Sequence, residues 1–207
     1  MHSLVVMAKA PEPGRVKMRL ASSIGGPRAL QVYRQLLAVT AAAANAWPGP
    51  VLLATAGDPA AFAGSGLERF ECVPQPEGEL GVRIAAALRA GRERAPSTIV
   101  IGSDCPGLDA DALRAVAALS TIAAFGPAVD GGFWSIATGV AATADVLERT
   151  KVPWSTSNTL ALLRAELADA GLRSQLGPTL ADCDTELDLR RAIAAGHLPP
   201  LPPESAA

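Results

Sequence analysis

The chain alternates short β-rich runs with longer Ala/Leu-rich ones, the pattern of a sheet whose strands are joined by crossover helices. Candidate strands are Leu4–Ala8, Val51–Ala56, Phe70–Val73, Thr98–Gly102, Ile122–Phe125 and Phe133–Ala137. Between them, Leu30, Tyr33, Leu37 and Ala41 recur at helical spacing, as do Leu80, Ile84 and Leu88 beside outward Arg83 and Arg89. Further helices are expected over Ala110–Leu119, Asn158–Ala170 and Glu186–Ala195, each behind a residue able to cap it. The 207 residues suit one α/β domain, since such domains reach about 250 residues before dividing. We expect that domain over 1–197 and a loose, Pro-rich tail over 198–207.

Ligands of such sheets bind beyond the carboxyl ends of the strands, so the connections there carry the chemistry. The first connection, Lys9 to Leu20, holds four cations in eleven residues: Lys9, Arg15, Lys17 and Arg19. Alone it would be a solvated basic loop. After the first strand of an α/β sheet it suits a polyphosphate, with Gly14 permitting close backbone approach. It is not a P-loop, because G-x-x-x-x-G-K-[ST] is missing, and Gly64-Ser65-Gly66 does not continue to a dinucleotide fingerprint.

Three later segments add carboxylates. Thr98-Ile99-Val100-Ile101-Gly102-Ser103-Asp104 is a buried-type strand ending in an acid, placed to share a hard cation with a diphosphate. Asp130-Gly131-Gly132 lies between two strand candidates, where Asp-Gly also signals a plain hairpin turn. Asp182 and Asp184 alternate with Cys183 in an extended stretch and point the same way, so either could join Asp104 at a metal. Thr185 and Asp188 have the spacing of a capping box.

Composition narrows the partners. Lys plus Arg total 18 against 20 Asp plus Glu, a net charge of -2, so no global positive field draws nucleic acid or anionic lipid. Aromatics are 4%, too sparse for a base-stacking platform. No run of about 18 apolar residues is present to span a membrane, and the first apolar run is broken by Lys9 and Pro11, so a cytoplasmic location is the expectation. Cys72, Cys105 and Cys183 form neither a disulfide framework nor a zinc motif.

Met7-Ala8-Lys9-Ala10-Pro11 with Gly14, Lys17 and Arg19, then Gly102-Ser103-Asp104-Cys105-Pro106, Asp130-Gly131-Gly132, Trp154-Ser155-Thr156 and Asp182-Cys183-Asp184-Thr185, resemble one known set. It is that of the bacterial glycosyltransferase-A-like family in the nucleotide-diphospho-sugar transferase superfamily, often labelled uncharacterised or arsenosugar-biosynthesis-type glycosyltransferase. Gln75 to Arg83 is similar to a further loop of that family. The resemblance implies a three-layer, Rossmann-like α/β fold with a mostly parallel sheet, shared in layout with small-molecule guanylyl- and cytidylyltransferases. It implies a transferase using a nucleotide-activated donor with Mg²⁺ or Mn²⁺: glycosyl transfer first, nucleotidyl transfer or non-catalytic nucleotide binding as alternatives.

By the same resemblance, Asp104 with Asp184 or Asp182 would hold the metal, and Lys9, Gly14, Arg15, Lys17, Arg19 and Ser103 the phosphates. Asp130 and Lys17 are the catalytic candidates; Gly81, Arg83, Gly131, Gly132, Trp154, Ser155 and Thr156 are the substrate-binding ones. The implied partners are a nucleotide or nucleotide sugar and a small acceptor. Met18, Phe133, Cys183 and Ser157 depart from the family's usual Thr, Tyr, Val and Pro, and the first two withhold a hydroxyl from the ligand.

Overall fold

β1 (His2–Lys9) pairs in parallel on both sides, with β2 (Val51–Ala56) and with β4 (Ser97–Ile101). In this computed structural model, which describes residues 1–202, β2 also pairs in parallel with β3 (Glu71–Pro74). β6 (Phe133–Thr138) runs antiparallel to both β4 and β5 (Ala123–Pro127), and β5 pairs in parallel with β7 (Ser174–Leu176). The result is one seven-stranded, mostly parallel sheet in the order β3-β2-β1-β4-β6-β5-β7.

Alternation along the central strands divides the apolar residues between two faces. Leu4, Val6 and Ala8 of β1 with Ile99 and Ile101 of β4 enter a core shared with α2 (Gly26–Asn45) and α4 (Ala110–Ala117). Val5 and Val100 enter a second core, under α3 (Leu80–Arg92), α5 (Ala142–Arg149) and α6 (Thr159–Asp169). The expected three layers and mostly parallel sheet are therefore present. α1 (Met18–Ile24), α2 and α7 (Glu186–Ala194) enclose a third, smaller cluster that includes Cys183 and Leu198. Leu198 is buried and Leu201 packs on that cluster, so the segment expected to be loose is anchored at its start; residues 203–207 lie outside those described.

β7, α1 and α5 were not expected. β7 is three residues at an exposed edge, too short to show a period. α1 begins after Lys17, whose side chain makes no capping hydrogen bond, and α5 has an equally silent start at Ala141. Asn158 precedes α6 without accepting a capping hydrogen bond either, whereas Asp109 accepts the Ala112 N–H at 2.8 Å as its sequence position suggests.

This topology brings the carboxyl ends of β1, β2, β4 and β5 to one edge, and the β5–β6 hairpin turn with them. The segment before α7 crosses the same edge. Leu180 N donates to Pro127 O at 3.0 Å, Val129 N to Leu180 O at 3.1 Å, and Cys183 N to Asp104 O at 3.0 Å. It is then fixed by the capping box, in which Thr185 Oγ1 accepts from Asp188 N and the Asp188 carboxylate accepts from Thr185 N. Thr185→Ala should lower stability by about 1 kcal/mol, read as a lower urea midpoint at unchanged m-value; an unchanged midpoint would deny the cap its role.

Candidate active site

A cleft of about 700 Å³ opens along that edge, within the range of small-molecule sites. Its floor is the ends of β1 and β4. One wall is the basic loop, the other the hairpin turn with the Asp182–Asp184 segment.

Tyr33 of α2 locks the floor. Its hydroxyl donates to Lys9 O at 2.9 Å, lies 3.1 Å from Lys9 N and 3.4 Å from Ser103 Oγ, and so ties the ends of β1 and β4 to one helix. Burial pushes the Tyr33 hydroxyl up to about 12, which keeps it neutral and able to play donor and acceptor together. Tyr33 was read in the sequence only as part of an apolar stripe. The signal was available: it is the single tyrosine of the chain, and a buried phenol needs a partner.

Lys17 is the centre of the basic loop. It takes a left-handed conformation at φ 48°, and its side chain, 4% exposed, reaches Asp104 Oδ1 at 2.5 Å and Asp184 Oδ1 at 2.8 Å. Burial works against the ammonium charge, but the two carboxylates more than offset it and hold the pKa above the usual lysine value. One cation thus joins two acids that lie 80 positions apart in the chain.

Asp130 and Asp182 belong to the other wall. Asp130 Oδ1 accepts the Gly132 N–H at 2.8 Å, the turn role its Asp-Gly sequence suggests, yet the residue also lines the cleft. Asp182 is half-buried, and burial followed by the Asp130 charge raises its pKa. Trp154 stands edge-on to Phe133, with ring centroids 6.5 Å apart, and Ser155 beside it is left-handed at φ 60°. Cys105 is buried at the edge of this site, and burial with the charge of Asp104 raises its thiol pKa, which disfavours the thiolate.

Lys9, Arg15, Lys17, Arg19 and Ser103 all line the cleft, as do Arg83, Gly132, Trp154, Ser155 and Thr156. Arg15 is largely exposed and paired with Glu12 at 2.9 Å. Gly14, Gly81 and Gly131 are not among the lining residues. A side chain on Gly81 would strike the Leu147 carbonyl and Trp154, and one on Gly131 would strike Ser157, so these glycines allow close packing behind the wall. Gln75, Met18, Glu79 and Leu80 line the cleft without having been singled out as binding residues. Gln75 Nε2 donates to Ala54 O at 2.8 Å and to Ala8 O at 3.4 Å, leaving Oε1 as its acceptor atom.

Among the described residues no three His, Cys, Asp or Glu side chains are grouped to hold a metal, so Asp104, Asp182 and Asp184 do not form a triad. The Asp104–Asp184 pair still fits a hard cation, since Mg²⁺ is commonly held by one or two carboxylates with phosphate oxygens completing its shell.

Two consequences can be measured. A carboxyl whose folded pKa exceeds its unfolded one resists ionisation in the fold, so its cost is full at neutral pH and fades as pH falls through the folded value towards the unfolded one. Asp182→Asn should therefore raise Tm at pH 7 and leave it unchanged near pH 3; a loss of Tm at pH 7 would contradict the electrostatic account. Gly81→Ala should cost about 1–3 kcal/mol in urea unfolding through overpacking, and a neutral result would show that α3 and α5 can yield.

A family model described as "Uncharacterized protein conserved in bacteria (DUF2064)" matches residues 37–156, more than half the chain. No curated protein matches it. Among solved structures, a protein of Desulfovibrio desulfuricans G20 provisionally named a nucleotide-diphospho-sugar transferase is 25% identical, with 91% of this chain and 84% of that one covered at a TM-score of 0.78. A nucleotidyl transferase of Methanothermobacter thermautotrophicus is 18% identical, with 95% and 97% covered and a TM-score of 0.60. A Mycobacterium tuberculosis H37Rv protein in complex with manganese is 17% identical, with 94% and 98% covered and a TM-score of 0.57. The chain belongs to the DUF2064 family of bacterial proteins, built on the nucleotide-diphospho-sugar transferase fold.

Proposed function

We propose that this protein is a Mg²⁺- or Mn²⁺-dependent glycosyltransferase that moves a sugar from a nucleoside diphosphate to a small hydroxylic acceptor. The observation that carries the reading is the pairing of Lys17 with Asp104 and Asp184 at the carboxyl edge of the sheet, beside Lys9 and Arg19. That arrangement can neutralise a diphosphate from two sides, by cationic side chains and by a cation on the carboxylates. The 25%-identical Desulfovibrio protein and its name support the donor class.

In this reading Lys9, Lys17 and Arg19 bind the diphosphate, and the backbone around Ser103, fixed through Tyr33, bounds its floor. A bound divalent ion supplies charge stabilisation to the leaving diphosphate. Asp130, oriented by the Gly132 N–H, accepts the proton of the acceptor hydroxyl as its oxygen attacks the anomeric carbon. The bond from that carbon to the diphosphate oxygen breaks, and the nucleoside diphosphate leaves. Trp154 and Phe133 offer an apolar face to a sugar ring, and Ser155 and Thr156 hydroxyls to its edges.

Charge favours glycosyl over nucleotidyl transfer to a phosphorylated acceptor. The acceptor wall carries Asp130 and Asp182, which already repel one another. A phosphate there would add to the repulsion, whereas a neutral polyol would not.

Product identity tests the reading. With Mg²⁺, a panel of nucleotide sugars and neutral acceptors, we expect acceptor-dependent release of nucleoside diphosphate. Acceptor-dependent pyrophosphate from a nucleoside triphosphate would replace glycosyl by nucleotidyl transfer, and binding without either product would leave a nucleotide-binding protein. Arg19→Ala should weaken binding of the donor nucleotide by about 1.5–3 kcal/mol in calorimetry if it makes a charge-assisted hydrogen bond to phosphate; unchanged affinity would remove Arg19 from the site.

A further inference from the structure

Lys17 has been given a phosphate to bind, yet its ammonium is already committed to the two acids assigned to the metal. The backbone of Lys17 is held: its carbonyl accepts from Ala21 N at 2.8 Å to start α1, and its left-handed φ of 48° aims the side chain inward. Lys17 and Ser155 are the two described non-glycine residues at positive φ, and both line the cleft. The Lys17 side chain is nearly enclosed, at 4% exposure, while the side chains of Asp104 and Asp184 remain 51% and 40% exposed. A strained backbone that delivers a buried cation between two half-exposed carboxylates is an arrangement for occupying their shared ground.

We infer that Lys17 is an internal counter-ion that stands in for the divalent cation at Asp104 and Asp184 and competes with it. The inference rests on reading those two acids as the metal ligands. Two carboxylates that share one ammonium present about one net negative charge to an arriving cation, and no third acid is grouped with them among the described residues. Metal alone is therefore held weakly. A diphosphate entering beside Lys9 and Arg19 gives the ammonium an alternative anion within reach of its flexible four-carbon stem, and phosphate oxygens supply the missing ligands. Metal and nucleotide then bind as linked partners, each strengthening the other by the same factor. Lys17 acts here as a positioning residue, setting the order in which the site fills.

The test is direct binding of Mn²⁺ to the full chain without nucleotide, followed by electron paramagnetic resonance of free Mn²⁺. Lys17→Met keeps the stem and removes the charge, and Lys17→Gln provides the same comparison should the methionine variant fail to fold. We expect either variant to bind Mn²⁺ at least tenfold more tightly than wild type, and Mn²⁺ to raise its Tm by more than it raises that of wild type. Lys9→Met removes one charge from the same cleft, where Lys9 is not paired with Asp104 or Asp184, and should tighten Mn²⁺ binding far less. Equal or weaker binding in the Lys17 variants, or an equal gain in Lys9→Met, would overturn the inference. Asp104→Asn separates the two ideas. If it leaves Mn²⁺ binding intact in every background, the metal assignment itself fails; if it abolishes binding and the Lys17 variants still bind no tighter than wild type, the competition alone fails.

Discussion

Parallel strands cannot be joined by tight turns, so each parallel pairing in this sheet demands a crossover, and each crossover returns the chain to start again from the far edge. With β1 paired in parallel to β2 and β4, the carboxyl ends of the central strands meet along a single line. The candidate site is built from what stands just past that line. Lys9 ends β1, Asp104 follows β4, the Asp130 turn follows β5, and the segment carrying Asp182 and Asp184 is stitched across by backbone hydrogen bonds to Pro127 and Asp104. The antiparallel β6 is what permits a short hairpin at this edge, and hence an acid placed by a turn.

The cleft is balanced rather than basic. Lys9, Arg15, Lys17, Arg19 and Arg83 face Glu79, Asp104, Asp130, Asp182 and Asp184. The basic loop, seen alone, promises surplus positive charge for a polyphosphate. In the fold, Lys17 is spent on two acids and Arg15 on Glu12, which leaves Lys9 and Arg19 as the loop's cations for an anion. A site so compensated would bind a bare anion poorly and an anion together with a divalent cation well, consistent with a nucleotide-dependent metal site.

The central sheet and its long helices could be read from periodicity, because β1 and β4 bury both faces and α2 and α3 carry long apolar stripes. β7, α1 and α5 could not, since three to eight residues with no capping side chain leave no period to detect. The same division holds at the site. Strand ends and Asp-Gly turns are local features, so the candidate acids were legible one by one. That Asp184 and not Asp182 shares Lys17 with Asp104 depends on the hydrogen bond from Cys183 N to Asp104 O, a contact between distant segments. Gly81 and Gly131 were read as ligand-facing because a motif places them near the site; the atoms that need the missing Cβ are Leu147 O and Ser157 O, behind the wall.

The central claim is that Asp104 and Asp184 hold a cation weakly alone and tightly in company with a nucleoside diphosphate resting on Lys9 and Arg19. A crystal structure of the protein with Mn²⁺ and the nucleoside diphosphate that raises its Tm most, using anomalous scattering to locate manganese, tests it most directly. The account predicts one manganese peak within bonding distance of both carboxylates and of a phosphate oxygen. A peak elsewhere, or a nucleotide bound away from the ends of β1 and β4, would contradict it.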